Sequence, residues 1–238
     1  MIIAMFLAHL VGDYVLQWDK LAYLKGRELK GVLYHGAIVT AVTWLFSLPF
    51  DPGFWPWALF ICGIHILVDA APLWLIPALG LKREGLFELV RFLIDQIIHI
   101  LVIVLALGLA GYLPLDAIWR GLLEAVQQNR LLTVVMGYVF VAMPAWILVE
   151  FVVYGLLNQS APDFPVVKHN KYIGTLERWL MLTFVLLGQI SLVPLVAAPR
   201  LALEGPQVLR TPRTLIYVAE LLASVMLTLA VGLALRQL

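Results

Sequence analysis

Residues 86–111 read LFELVRFLIDQIIHILVIVLALGLAG, a stretch long and apolar enough to cross a lipid bilayer as one helix. The hydrocarbon core of a bilayer is about 30 Å thick, so a spanning helix needs about 20 mostly apolar residues. Asp95, Gln96 and His99 lie inside this stretch, where a charged side chain is costly and usually faces the interior of a helix bundle. The sequence therefore predicts a membrane helix that contributes to a buried polar site.

The whole chain has the composition of an integral membrane protein. Of its 238 residues, 63% are hydrophobic and 13% are charged, and the mean hydropathy is +0.96. The formal net charge is +1 with no long basic run, so nothing indicates a nucleic-acid partner. Seven segments approach spanning length: residues 1–17, 31–49, 56–79, 86–111, 131–157, 173–197 and 214–235.

These segments predict an all-α fold, a polytopic transmembrane bundle of six or seven membrane helices. The first segment is short and is either a partial span or continues into the following residues. We expect one integral membrane domain over residues 1–238, in which helices of residues 1–111 carry the polar site and residues 131–238 supply supporting helices. Proline-rich stretches at 158–171 and 198–213 are predicted loops.

Polar residues inside the predicted spans share one spacing. Three pairs place a histidine and an aspartate four residues apart: His9 with Asp13, His65 with Asp69, and Asp95 with His99. Residues four apart lie on the same face of a helix. His35 adds a fourth histidine near the start of the second segment. The spacing predicts helices with a polar stripe facing the bundle and an apolar back.

Three interpretations of these pairs remain open. Imidazoles and carboxylates from several helices can converge on a divalent metal, and a ligand set without cysteine suits zinc, manganese or iron. Alternatively, the pairs carry protons in a proton- or cation-coupled transporter, because a histidine beside an aspartate can titrate near neutral pH. In the third interpretation each aspartate only orients a histidine in a non-catalytic membrane scaffold. Such contacts are worth only about 0.6 kcal/mol on average, which poorly explains three buried charges.

A second group of polar residues is predicted to bind substrate. Its members are Arg91, Glu177, Arg178, Gln17 and Gln96. Arg178 is suited to clamp a phosphate or carboxylate with two parallel hydrogen bonds, and Arg91 is a second candidate. Arg91 is equally placed to neutralise Asp95, one turn away, and the Glu177 and Arg178 pair is equally suited to an interfacial position.

Several blocks together resemble a bacterial family of multi-spanning membrane proteins catalogued as a domain of unknown function. The blocks are LAHLVGDYVLQWD, YHG, IHILVDA, LFELVRFLIDQIIHI and GTLERWLMLTFVLLGQISLVPLVAAPR. The resemblance is densest over residues 6–100 and 172–200. It implies a multi-pass protein of the bacterial inner (cytoplasmic) membrane, and it implies no activity. The signature residues that it implies are His9, Asp13, Gln17, His35, His65, Asp69, Asp95, Gln96, His99, Glu177 and Arg178.

The resulting hypothesis is a metal-dependent hydrolase or transferase that acts on a membrane-embedded or lipid-linked substrate. The predicted metal ligands are His9, His35, His65 and His99. Asp13, Asp69 and Asp95 are predicted to ligate the metal, orient the histidines or act as a general base. The expected partners are membrane lipids and possible lipid-linked substrates, while the sequence does not set the oligomeric state.

Overall fold

A computed structural model describes residues 1–157, 168–208 and 214–238. The described residues form helices and turns without strands, which confirms the predicted all-α fold. In chain order the helices are α1 (Ile2–Leu10), a π-helical turn (Val11–Val15), α2 (Asp19–Lys25), α3 (Leu29–Ser47), a 3₁₀ turn (Pro52–Phe54), α4 (Trp55–Ala78), α5 (Gly85–Leu109), α6 (Ile118–Gln128), α7 (Arg130–Ala142), α8 (Pro144–Leu156), α9 (Lys168–Leu186), a 3₁₀ turn (Ile190–Leu192), α10 (Val193–Val208) and α11 (Thr214–Arg236).

The protein is a membrane protein with four to five candidate spans among the described residues. The spans Leu29–Ser47, Pro52–Ala78, Gly85–Leu109 and Thr214–Arg236 are each long and apolar enough to cross a bilayer. Helices α7 and α8 together form a possible fifth span, bent by 43°. Pro144 lies at this bend and has no N–H to continue the hydrogen bonding of α7. The count of six or seven is not confirmed, because the apolar helix Ile2–Val15 is shorter than a span.

The predicted span at 173–197 is interrupted at Gly188. The Gly188 N–H donates to Val185 O at 3.0 Å, and the Gln189 N–H donates to Phe184 O at 2.8 Å. This pair of bonds is the Schellman motif that ends a helix, and it needs a left-handed residue, which Gly188 supplies with a φ of 80°. Helix α9 therefore ends near the middle of the predicted segment, and the chain continues as α10 after a 3₁₀ turn.

The two loop predictions are wrong for the residues that the structure describes. Residues 168–171 belong to α9 and residues 198–208 belong to α10, so both parts are helical. Prolines predicted a loop at 198–213 because an internal proline removes a helical hydrogen bond. Helix α10 nevertheless continues through Pro199 and Pro206. The rest of the two predicted loops, residues 158–167 and 209–213, lies outside the described residues.

The described residues form two compact units. The first unit comprises Met1–Lys82 and Val90–Met136, and the second comprises Arg83–Leu89 and Gly137–Leu238. In the first unit, apolar side chains of α1, α4 and α5 pack around Phe54, Met5 and Leu107, all of them buried. In the second unit, Val141 and Leu182 form part of a core with α11. The prediction of a single domain over 1–238 stays a prediction.

Candidate metal centre

Four buried side chains of the first unit lie close together. Asp13 lies in the π-helical turn, His35 lies on α3, and His65 and Asp69 lie one turn apart on α4. These four residues are called the His–Asp centre below. A π-helical turn is wider than an α-helical one and occurs often at functional sites. At Asp13 it ends the regular α1 helix and supplies the only centre residue from the amino-terminal segment.

Close packing of helices brings the four groups together. Gly36 follows His35 on α3, and a Cβ atom there would lie 2.3 Å from Ile66 Cγ1, next to His65. The missing side chain thus lets α4 approach α3 where their histidines face each other. Gly12, beside Asp13, lies against Val39 of α3, with a Cβ distance of 3.4 Å to its Cα. Small residues therefore set the spacing between the three elements.

The ligand-capable atoms of the His–Asp centre are close neighbours. His35 Nε2 lies 2.9 Å from Asp13 Oδ1 and 3.2 Å from His65 Nε2. His65 Nε2 lies 3.1 Å from Asp69 Oδ2 and 3.8 Å from Asp13 Oδ1. The distance from His35 Nε2 to Asp69 Oδ2 is 3.7 Å. Tetrahedral ligands at 2.0–2.1 Å from a metal are separated by about 3.3 Å, which lies within this range.

The hydrogen bonds within the centre compete for protons. His35 Nε2 donates to Asp13 Oδ1, so it has no lone pair to accept a bond from His65 Nε2 at 3.2 Å. If His65 Nε2 likewise carries its proton toward Asp69, two N–H groups face each other. Asp69 Oδ2 is buried and faces His65 Nε2 at 3.1 Å and the Lys25 ammonium at 2.9 Å. A cation among these atoms would satisfy all four lone pairs at once.

His99 on α5 lies beside the centre and extends it. Its side chain is 4% exposed, and neither ring nitrogen has a hydrogen-bond partner among the described residues. His99 can form a second group of potential metal ligands with His65 and Asp69, whose ligand atoms lie within 4.8 Å of one another. Its Nδ1 is 3.6 Å from Asp95 Oδ2, beyond the usual hydrogen-bond range. His99 is therefore available to a ligand or to a reacting group.

Gln96 connects the other predicted site residues to the centre. His9 Nε2 donates to Gln96 Oε1 at 3.3 Å, and Gln96 Nε2 donates to Asp13 Oδ2 at 3.3 Å and to Asp95 Oδ2 at 3.0 Å. The rings of His9 and His99 stack with centroids 5.6 Å apart. His9 belongs to neither group of potential ligands, and its place is that of a residue that orients the ligands.

Lys25 is a member of this site that sequence reasoning missed. Its ammonium group lies 2.9 Å from Asp69 Oδ2 and 3.5 Å from Asp13 Oδ1, and it donates to Gln17 Oε1 at 3.2 Å. Burial alone would lower the pKa of Lys25, but the carboxylates of Asp13 and Asp69 outweigh it and hold that pKa above its ordinary value. No spacing rule links a lysine in the short helix α2 to an aspartate 12 residues earlier, so the sequence pattern did not predict that Lys25 belongs to the site.

A small cavity lies against the histidines. It is lined by His9, His65 and His99 together with apolar side chains such as Met5 and Ile61, and it has room for roughly one water molecule. The cavity is thus mostly apolar, with three imidazole rings in its lining. The cavity offers room for a small group next to His99, whose nitrogens have no hydrogen-bond partner among the described residues.

The second unit contains two of the predicted substrate-binding residues. Arg178 is 3% exposed and donates through Nε to Val141 O and through Nη2 to Ala142 O at 2.6 Å. These carbonyls lie at the end of α7, where Pro144 prevents the helix from continuing, so Arg178 binds the free end of that helix. Glu177 contacts Arg200 at 3.4 Å. Substrate binding by Arg178 stays a prediction, and its position supplies a structural role.

The remaining predicted residue, Arg91, is half-buried on α5, one turn before Asp95. Asp95 itself is contacted by Gln96 and lies near His99. The structure thus gathers His9, Asp13, Gln17, His35, His65, Asp69, Asp95, Gln96 and His99 in the first unit, with Glu177 and Arg178 in the second.

The fold and the site define a class of protein, a helical membrane protein with a buried centre of histidine and aspartate. Residues 1–117 match the model of the family described as protein of unknown function (DUF3307). The predicted resemblance to a family of unknown function is thereby confirmed, although residues 172–200 lie beyond the matched range. Comparison with curated proteins and with solved structures gave no match.

Proposed function

We propose that this protein is a metal-dependent membrane enzyme, a hydrolase or transferase, in which Asp13, His35, His65 and Asp69 bind a divalent metal ion. The observation that carries the proposal is the convergence of four ligand atoms, from three helical elements, within 2.9–3.8 Å along the five contacts given above. Two imidazole nitrogens and two carboxylate oxygens suit zinc, manganese or iron.

The surroundings of the centre also fit a metal. Ligating carboxylates and histidines usually have outer partners that fix their orientation. Gln96 holds Asp13 at Oδ2, so Oδ1, the oxygen that faces His35, is the atom that would bind a metal. Two aspartates contribute two negative charges, and burying them in an apolar site costs much free energy unless cations pair with them. Lys25 supplies one positive charge, so a net negative charge remains.

A divalent metal at this position would polarise a phosphoryl or acyl group and lower the pKa of a bound water. His99, with both nitrogens unpartnered among the described residues and a cavity beside it, is placed to accept the proton of the attacking group. Because the centre lies on apolar helices, a membrane-embedded or lipid-linked substrate could reach it from the bilayer. Arg91 and Gln17 are then candidates to bind its anionic part.

The proposal also includes the membrane in which the protein lies and the number of its membrane segments. We place the protein in the bacterial inner membrane, as its resemblance implies. Four or five spans are supported by length and composition. Six or seven segments enter the membrane if α1 with its π-helical turn and the apolar part of α9 also insert.

Metal analysis of purified protein tests this proposal. The informative variant is the double substitution His35→Ala with His65→Ala, and the matched control is Ser47→Ala, which removes a buried polar side chain of α3 outside both groups of potential ligands. We expect about one divalent metal per chain in the wild type and in the control, and a loss of that metal in the double variant. Equal metal content in all three samples would contradict the proposed centre.

A proton- or cation-coupled transporter is the second candidate, favoured by one structural observation. Transporters commonly contain broken membrane helices, and α7 and α8 form such a bent pair. In reconstituted vesicles a transporter should carry zinc or manganese inward under a pH gradient, and Asp95→Asn should abolish that uptake. Uptake that is equal in vesicles with and without the protein excludes this candidate. A scaffold is less favoured, because the rings of His9, His65 and His99 lie together.

A further inference from the structure

The short helix α2 delivers one cation to the His–Asp centre. Lys25 is its last residue, and its side chain is 18% exposed, so part of this side chain reaches the surface while its ammonium contacts the buried carboxylates. Gly31 on α3 allows this approach, because a Cβ atom there would lie 2.3 Å from the backbone of Leu24 and 2.4 Å from that of Lys25. The fold thus holds the end of α2 directly against α3, next to Asp69.

The ammonium and a metal ion would use the same oxygen atoms. Lys25 Nζ is 2.9 Å from Asp69 Oδ2, and a metal ligated by that oxygen would lie about 2.0 Å from it. The two cations would then be at most about 5 Å apart, a distance at which like charges repel strongly in a poorly solvated site. The ammonium and the metal ion therefore cannot both bind Asp69 Oδ2 without strong repulsion, and one of them has to move.

We infer that Lys25 is the internal counter-cation of the His–Asp centre: its ammonium neutralises Asp13 and Asp69 in the metal-free protein, and a divalent metal has to displace it. This inference rests on the proposed metal centre. It makes Lys25 a residue that sets both affinity and selectivity. A monovalent ion offers no more charge than the ammonium it would replace, whereas a divalent ion gains a second unit of attraction. Gln17, which accepts a bond from Lys25, marks the side toward which the lysine can retreat.

Zinc titration of the purified full chain, stripped with a chelator and measured against a chromophoric competitor, tests the inference. The variant is Lys25→Gln, which keeps a polar group without the charge. The matched control is Lys20→Gln, on the same helix but exposed. We expect Lys25→Gln to bind zinc at least about tenfold more tightly than the wild type, while Lys20→Gln matches the wild type.

The outcomes separate this inference from the proposal beneath it. Zinc binding that is equal or weaker in Lys25→Gln overturns the role of Lys25 and leaves the metal centre standing. If none of the three proteins binds zinc, the metal centre and the inference both fail. Binding by the variant alone supports both, since removal of the competing ammonium would then have exposed the site.

A measurement on the wild type removes any dependence on how the variant folds. Amine-reactive labelling, followed by mass spectrometry of peptides, reports how accessible each lysine is. Saturation with zinc should increase the labelling of Lys25 at least severalfold, while that of Lys20 stays constant. Unchanged or decreased labelling of Lys25 in zinc-saturated protein would overturn the displacement.

Discussion

Arg178 offers a direct contrast between a structural and a substrate-binding role. Replacement by methionine keeps an apolar stem and removes the guanidinium that binds the last carbonyls of α7. A hydrogen bond from a charged donor contributes about 1.5–3 kcal/mol, so two of them amount to about 3–6 kcal/mol. Release of the buried charge offsets part of this loss. We therefore expect Arg178→Met to lower the free energy of unfolding by about 2–4 kcal/mol.

Thermal unfolding of the purified protein in detergent measures this effect. For a chain of this size, 1 kcal/mol corresponds to about 2–4 °C in Tm, so the variant should unfold at least about 4 °C below the wild type. Ser224→Ala is the matched control, because its hydroxyl lies 3.5 Å from Arg178 Nη1, at the limit of a hydrogen bond, and its loss should change Tm little. An unchanged Tm in Arg178→Met would refute the structural role and return Arg178 to the candidates for anion binding.

Three further predictions concern the fold and its helix ends. Gly188→Ala should destabilise the protein by about 1–2 kcal/mol in thermal unfolding, because alanine is strained at a φ of 80°; an unchanged Tm would show that α9 does not need this cap. Gly36→Leu should lower both stability and zinc content, since its side chain would collide with Ile66 and separate α3 from α4. Tyr112→Phe should cost about 0.5–1.5 kcal/mol through loss of the 2.7 Å bond to Asp51. That bond and burial raise the pKa of Tyr112, so the difference from wild type should be full below pH 10 and shrink above it.

Much of the helical architecture could be predicted from the sequence, because length and hydropathy identify membrane helices without reference to their neighbours. The positions at which helices end are harder to predict from hydropathy. Gly188 and Pro144 both lie within long apolar segments. Hydropathy does not report the left-handed backbone of Gly188 or the missing N–H of Pro144. The predicted spans at 131–157 and 173–197 therefore differ from the observed helices at these points.

In the candidate site, too, some contacts could be predicted from the sequence and others could not. Spacing of four residues predicted that His65 and Asp69 share one face of α4, which depends only on helix geometry. The meeting of Asp13 with His35 depends instead on how α1 packs against α3, and no spacing rule contains that information. Lys25 illustrates the limit most clearly, because its place in the site depends on Gly31 and on a tight turn between two helices.

X-ray absorption at the zinc edge, on zinc-loaded purified protein, tests the central claim most directly. The account predicts a shell of four nitrogen and oxygen ligands at about 2.0–2.1 Å that includes two imidazole rings. In the His35→Ala, His65→Ala protein, which should lose the metal, any zinc that remains should show no imidazole contribution. A shell of six oxygen atoms without imidazole, or a spectrum unaltered by the double substitution, would contradict a metal centre built from these residues.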